Sequence, residues 1–124
     1  MIIIWSVVLK TIEYYNLDEI FKELPEGLST SISQISSTSQ ITKSYIHLLR
    51  ALIRNPRIIL IDDVLNQFTN KGSLGLINRI ISCVPIVVFV SRNPNLISFA
   101  NRSLVLNKGK LMEVETSQLI NNIT

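Results

Sequence analysis

The chain has 124 residues, 47% of them apolar and 17% charged, with a formal net charge of +3. That balance predicts one modest core and excludes a disordered, charge-rich chain. The twelve Lys and Arg residues are spread out without interleaved aromatics, so no nucleic-acid partner is expected, and no apolar run is long enough for a membrane span of its own.

A mean hydropathy of +0.35 without a span predicts surfaces that face a partner or a further part of the same fold. The opening "MIIIWSVVL", closed by Lys10, lacks the basic leader and cleavage site of a secretory signal and reads as a buried strand or helix start. From Lys10 to Leu24 the residues Ile12, Tyr15, Leu17, Ile20, Phe21 and Leu24 recur at helical spacing, predicting one amphipathic helix stopped by "PEG" at Pro25 to Gly27. The serine- and threonine-rich "LSTSISQISSTSQIT" then reads as an irregular connector, because its hydroxyls compete for backbone hydrogen bonds.

"KSYIHLLRALIRN" predicts a helix with a broad apolar stripe, entered through Ser39 or Thr42 as N-cap and ended before Pro56. "RIILI" and "VPIVVFV" (Val84 to Val90) lack alternation and are rich in β-branched residues, the pattern of central strands covered on both faces. Ser73 to Cys83 reads as the crossover helix between them, which makes a strand, helix, strand unit of a parallel sheet. A short helix from Pro94 to Phe99, a hairpin turning at Asn107 to Gly109 and a last helix from Thr116 or Ser117 complete the reading. Cys83, the single cysteine, has no partner for a disulfide or a metal site and is expected to be a buried thiol in a reducing compartment. His47 falls inside the predicted helix as a packing or surface residue.

Ligands in open parallel sheets sit beyond the carboxyl ends of the strands. Asp62 and Asp63 after "RIILI", and Ser91 and Arg92 after "VVFV", should therefore emerge on one edge. Paired carboxylates there can help to hold Mg²⁺ or orient a water; equally, such acids cap the next turn or stay solvated.

The order of these pieces resembles the C-terminal half of an ATP-binding cassette (ABC) transporter ATPase domain of the exporter type, from about Leu24 to Glu115. "LPEG" at Leu24 to Gly27, "LLRALIRNP" at Leu48 to Pro56, "RIILIDD" as the Walker B strand, "VPIVVFVSR" and "ANRSLVLNKGKLMEVE" match consecutive family blocks. The resemblance implies an α/β fold, a partial P-loop NTPase-like domain with a parallel sheet core, flanking helices and a C-terminal β-hairpin. It spans 1–124 as a single partial domain, with 1–55 a remnant of the helical subdomain and signature helix and 56–124 running from Walker B to the C-terminal sheet. It also implies ATP and Mg²⁺ as cofactors and a cytoplasmic place at the inner face of a membrane. The implied partners are a transporter membrane domain and a second nucleotide-binding domain or a missing N-terminal half.

The site positions depart from the family pattern. The signature loop, Leu-Ser-Gly-Gly-Gln in the family, falls on "TSQIT" and keeps only Ser39, a cofactor-binding position by resemblance and a helix cap by its own chemistry. Gln40 and Ile41 stand where glycines let backbone amides approach a phosphate. Asp62 matches the carboxylate that contacts Mg²⁺ through water. Asp63 stands at the catalytic glutamate position, its carboxylate withdrawn by roughly 1.5 Å, enough to disturb a water that must be held in place. Arg92 stands at the switch histidine position and exchanges no proton near neutral pH. The D-loop becomes "NQFT", Asn66 to Thr69, and these residues contain no G-x-x-x-x-G-K-[ST] phosphate loop.

These departures predict a truncated, degenerate ATP-binding domain of an exporter, unable to hydrolyse ATP alone. A non-catalytic α/β module docking to transporter subunits is the alternative. A phosphoryl-acceptor domain built on the paired acids ranks last, since it leaves "LPEG" and "LLRALIRNP" unexplained.

Overall fold

A computed structural model describes residues 5–62, 64 and 71–123. The N-terminal helical region is divided where one helix is predicted. α1 (Trp5–Tyr15) ends at Asn16, whose φ of 53° places it in the left-handed region. The Leu17 N–H bonds to the Ile12 carbonyl at 2.9 Å and the Asn16 N–H to Glu13 at 3.1 Å, the paired bonds of a Schellman motif. Leu17 and Ile12, which flank that motif, are both buried. α2 (Asp18–Lys22) then follows as a separate helix. The apolar spacing could not reveal the break, because a left-handed asparagine interrupts the helix without interrupting its burial pattern.

Gly27, with φ of 54°, turns the chain out of α2 into a 3₁₀ turn at Gly27–Ser29. Buried Thr30 fastens that turn, donating to the Gly27 carbonyl at 2.7 Å and accepting from the Glu26 N–H at 3.1 Å. The serine-rich stretch is less irregular than expected, for it contains α3 (Ile32–Ile35), closed by a capping box. Ser31 Oγ accepts from the Gln34 N–H, and Gln34 Oε1 accepts from the Ser31 N–H. The same hydroxyls that disfavour helix interiors form this helix end.

α4 (Gln40–Leu52) follows the predicted helix closely and buries Leu48, Leu49 and Leu52, each stabilising the fold by about 2 kcal/mol. It packs against α1. His47 is exposed on it. Asn55, again left-handed at φ 48°, ends this segment ahead of Pro56.

β1 (Ile58–Ile61), α5 (Lys71–Cys83) and β2 (Ile86–Phe89) form the predicted strand, helix, strand unit. β2 is shorter than "VPIVVFV" at both ends: the Val84 N–H still bonds to Ile80 of α5 at 2.8 Å, and Pro85 has no N–H to give a ladder. The Ile86 N–H bonds to the Arg57 carbonyl at 3.1 Å and the Val90 N–H to Ile61 at 3.0 Å. Partners thus advance together on both strands, which only parallel strands allow.

Among the described residues the sheet has just these two strands, and burial alternates along β1. Ile59 and Ile61 are buried, whereas Ile58, Leu60, Ile86 and Val88 are 51% to 75% exposed. The expectation of strands covered on both faces is therefore corrected. The apolar pattern is that of a doubly covered strand, but among the described residues only one face of β1 is buried, and the fold is mixed α/β with small sheets.

After β2, α6 (Pro94–Ile97) is capped by Asn93 Oδ1, which accepts from the Asn95 N–H at 3.0 Å. β3 (Ser103–Asn107) and β4 (Lys110–Val114) pair antiparallel, with Leu106 opposite Leu111, through the two-residue turn Lys108–Gly109. Both turn residues have positive φ (47° and 76°), as a type I′ hairpin demands. Arg102 and Glu113 form a bidentate, exposed pair at 2.9 and 3.1 Å; it holds the Glu113 carboxyl below its ordinary range. α7 (Thr116–Ile123) packs on α6, and its Thr116 hydroxyl bonds to buried Ser103 at 2.8 Å.

The chain divides into two compact units. The first takes in the described residues up to Leu60 together with Arg79–Val88, and its core includes Leu17, Phe21, Leu48, Leu49, Ile59 and Ile80. The second takes in Ile61–Asn78 and the chain from Phe89 onward, with Leu76, Ile77, Leu96 and Ile97 buried.

Candidate functional site

β1 is a short aliphatic strand with no polar side chain until Asp62, so the carboxylate appears where the strand ends. The Val90 N–H to Ile61 carbonyl bond is the last rung of the parallel pair among the described residues. Asp62 and Ser91 follow it directly, on one edge of the second unit, as the sequence implies. Asp62 is exposed, and its carbonyl accepts from the Val64 N–H at 2.6 Å, which turns the chain immediately after the strand. Asp63 and the D-loop positions Asn66 to Thr69 lie outside the described residues.

On the neighbouring strand end, Ser91 Oγ accepts from the Asn93 N–H at 3.0 Å, while Asn93 caps α6. Arg92 lies between these two turn-forming residues and is exposed. The local polar residues thus fix the backbone on either side of a guanidinium that stays in water. Its planar fork of N–H donors can pair with an anion.

Ser39 belongs to the first unit and is the N-cap of α4. Its Oγ accepts from the Thr42 N–H at 3.1 Å and shares a second bond with Thr42 Oγ1 at 2.8 Å. Buried Ser44 donates to the Gln40 carbonyl one turn later at 3.0 Å. The hydroxyl is therefore engaged by its own helix, and Gln40 and Ile41 form the first turn.

Among the described residues no group of three His, Cys, Asp or Glu side chains gathers as a metal cage. A single exposed carboxylate is compatible with Mg²⁺, which keeps much of its water shell and commonly uses one or two carboxylates. These residues fit an outer contact to the ion and offer no lysine-bearing phosphate cradle.

One polar pair has no counterpart in the sequence reading. Tyr14 Oη lies 2.9 Å from Cys83 Sγ, and Cys83 is exposed, which corrects the expected buried thiol. α5 presents its apolar stripe at Leu76, Ile77 and Ile80, and Cys83 is the last residue of that helix. The contact with Cys83 raises the Tyr14 phenol above its ordinary range. Tyr15, packed edge-to-face on Tyr14 at 5.0 Å, is pushed up to about 12, chiefly by burial. Tyr14 and Cys83 are 69 positions apart in the chain, so no local signal could announce the pair.

No protein-family model matches the chain. It is 29% identical over 109 residues to the mating factor M secretion protein of Schizosaccharomyces pombe, a match covering 86% of this chain and 8% of that protein. The multidrug resistance-like ATP-binding protein MdlB of Buchnera aphidicola is 28% identical over 118 residues, 91% of this chain and 19% of its own. ABC transporter B family member 29 of Arabidopsis thaliana, described as chloroplastic, is 27% identical over 109 residues, 85% of this chain and 17% of that protein. The chain is similar, at low identity, to several ABC transporters and exporters over most of its length. The chain spans less than a fifth of the length of each of those three proteins. Among its described residues no helix is long and apolar enough to cross a membrane.

Proposed function

We propose that the chain is a divergent ATP-binding segment of an ABC exporter that does not hydrolyse ATP by itself. The observation that carries this reading is the position of Asp62, which directly follows the last rung of a parallel pair, beside the turn that holds Arg92. The naming of the MdlB relative as an ATP-binding protein agrees with it. In this reading Asp62 contacts Mg²⁺ through water, and the ion, when bound, neutralises phosphate charge. Asp63 takes the catalytic glutamate position with a shorter reach, Arg92 replaces a proton-exchanging histidine with a fixed cation, and Ser39 serves its helix. A complementary polypeptide supplies the phosphate grip, and the family's partners are a membrane domain and a second nucleotide-binding domain.

The test is Mg²⁺-dependent binding and turnover of ATP by the purified chain. Expected is no turnover above a no-protein control, with or without Asp63→Ala. Robust hydrolysis that Asp63→Ala abolishes would overturn the reading. A second reading, a non-catalytic module that docks to transporter subunits, is favoured by the bare apolar face of β1 and β2. Association with transporter subunits that is indifferent to nucleotide would select it.

A further inference from the structure

Helical geometry gathers cations that the sequence spreads out. Residues 27–61 contain Lys43, Arg50, Arg54 and Arg57 and no Asp or Glu. On α4, Lys43, His47 and Arg50 are spaced by four and three, and Arg54 follows four later, its N–H still bonded to the Ala51 carbonyl at 3.3 Å. At about 100° per residue these four positions fall within roughly 60° of arc, along ~16 Å of helix. Buried Leu48, Leu49 and Leu52 lie on the opposite side, while His47, Arg50 and Arg54 are exposed.

Helix stability does not account for this row. The macrodipole favours Arg50 and Arg54 near the C-terminus, but Lys43 stands in the first turn, where a cation is unfavourable and no acid offsets it. Among the described residues the ion pairs use Lys22 and Arg102 and none of the four side chains of the row. Charged side chains are almost never buried unpaired, so this face calls for water or for an acid from outside. We propose that the row docks an acidic α-helix of a partner protein, one that carries Asp or Glu at the matching four, three, four spacing and runs antiparallel to α4. That orientation sets the partner's N-terminal carboxylates, which its own dipole favours, against Arg50 and Arg54. His47 can donate a hydrogen bond to a carboxylate between them. Charge distribution decides for a partner this narrow. The first unit holds seven Lys and Arg side chains but also five Asp and Glu, all between Glu13 and Glu26, so a wide anionic surface gains little net attraction where a single helix meets cations alone. The missing interleaved aromatics set a nucleic acid aside. This docking is independent of whether the chain binds nucleotide.

The probe is a synthetic helical peptide of about 18 residues with Glu at i, i+4, i+7 and i+11, titrated into the isotope-labelled full chain and followed by amide chemical shifts. Exposed ion pairs are each worth up to about fivefold in affinity, so four predict a dissociation constant on the order of 1 mM at low salt. Shifts are expected to move saturably from Lys43 to Arg54, and affinity to fall about tenfold between roughly 20 and 200 mM salt. Arg50→Gln combined with Arg54→Gln is expected to weaken binding about tenfold. A peptide of the same composition with its Glu residues at i, i+2, i+4 and i+6, which no single helix face holds, is expected to bind at least fivefold less tightly. Lys110→Gln on the hairpin should change nothing, and far-UV circular dichroism confirms that each variant is folded. Absence of a saturable shift at about 5 mM peptide, equal binding of the rearranged peptide, a response centred away from α4, or indifference to the double variant would each overturn the proposal. Tighter binding to phosphatidylserine vesicles that the double variant abolishes would also overturn it and assign the row to a membrane surface.

Discussion

Replacing Ser39 by alanine separates its two possible uses, as a helix cap and as a nucleotide contact. The side chain satisfies the Thr42 N–H at 3.1 Å and the Thr42 hydroxyl at 2.8 Å, and Thr42 is buried, so water cannot readily replace the lost partner. Cap deletions cost roughly 0.5–2 kcal/mol, and burial of the orphaned donor places this one near the upper half, about 1.5 kcal/mol. With a urea slope of about 2 kcal/mol per molar, the unfolding midpoint should fall by roughly 0.7 M. Ser39→Asp keeps an acceptor at the cap and should recover most of that loss. Equilibrium urea unfolding followed by circular dichroism measures both. If Ser39→Ala leaves the midpoint within error while abolishing binding of Mg²⁺ and ATP, the hydroxyl is not committed to α4 and the reasoning fails.

Ile77 is fully buried, and Ile77→Ala should cost about 2–5 kcal/mol in the same unfolding assay, most of the margin of a domain this size. Asn16→Ala should lose about 1 kcal/mol by forcing a side chain with a Cβ and no local hydrogen bond into a left-handed position, whereas Asn16→Gly should be neutral or slightly stabilising for the backbone. Tyr15 holds its proton up to about 12 when folded against about 10 when unfolded, so stability present below pH 10 should be lost as pH rises toward 12. The loss should reach roughly 2 kcal/mol, and Tyr15→Phe should remove that part of the alkaline slope in urea midpoints taken from pH 9 to 12.

Features set by local chemistry were legible in the sequence. The stripe of α4 with its Ser39 cap, the crossover between β1 and β2, the "NKGK" turn and the start of α7 each follow from a few neighbouring residues. The neighbouring exits of Asp62 and Ser91 were legible too, because a parallel pair joined by one helix brings both strand ends to the same edge. What the sequence hid depends on partners far along the chain or absent from it. The strands "RIILI" and "IVVF" are apolar on both faces whether or not both faces are covered, so composition cannot tell a central strand from a bare one. The Schellman break at Asn16 preserves the helical burial spacing on either side of it. The capping box at Ser31 and Gln34 was missed because the surrounding serines argued collectively for a loop, while the fold uses one of them at a single helix end.

The turn at Lys108–Gly109 joins strands whose nearest partners are three residues apart, whereas the β1–β2 ladder joins Arg57 to Ile86 across the whole of α5. Closing the longer loop must be paid in chain entropy before any strand contact repays it. The hairpin and the separate helices should therefore form first, and the parallel pair should be the late event in folding. During that interval two charge-free aliphatic segments are present without their cover, and off-pathway pairing competes with the native ladder. Pulse-labelling hydrogen exchange should protect the amides of β3 and β4 before those of Ile86 and Val90, which makes folding speed at this one crossover the determinant of how much chain survives to act.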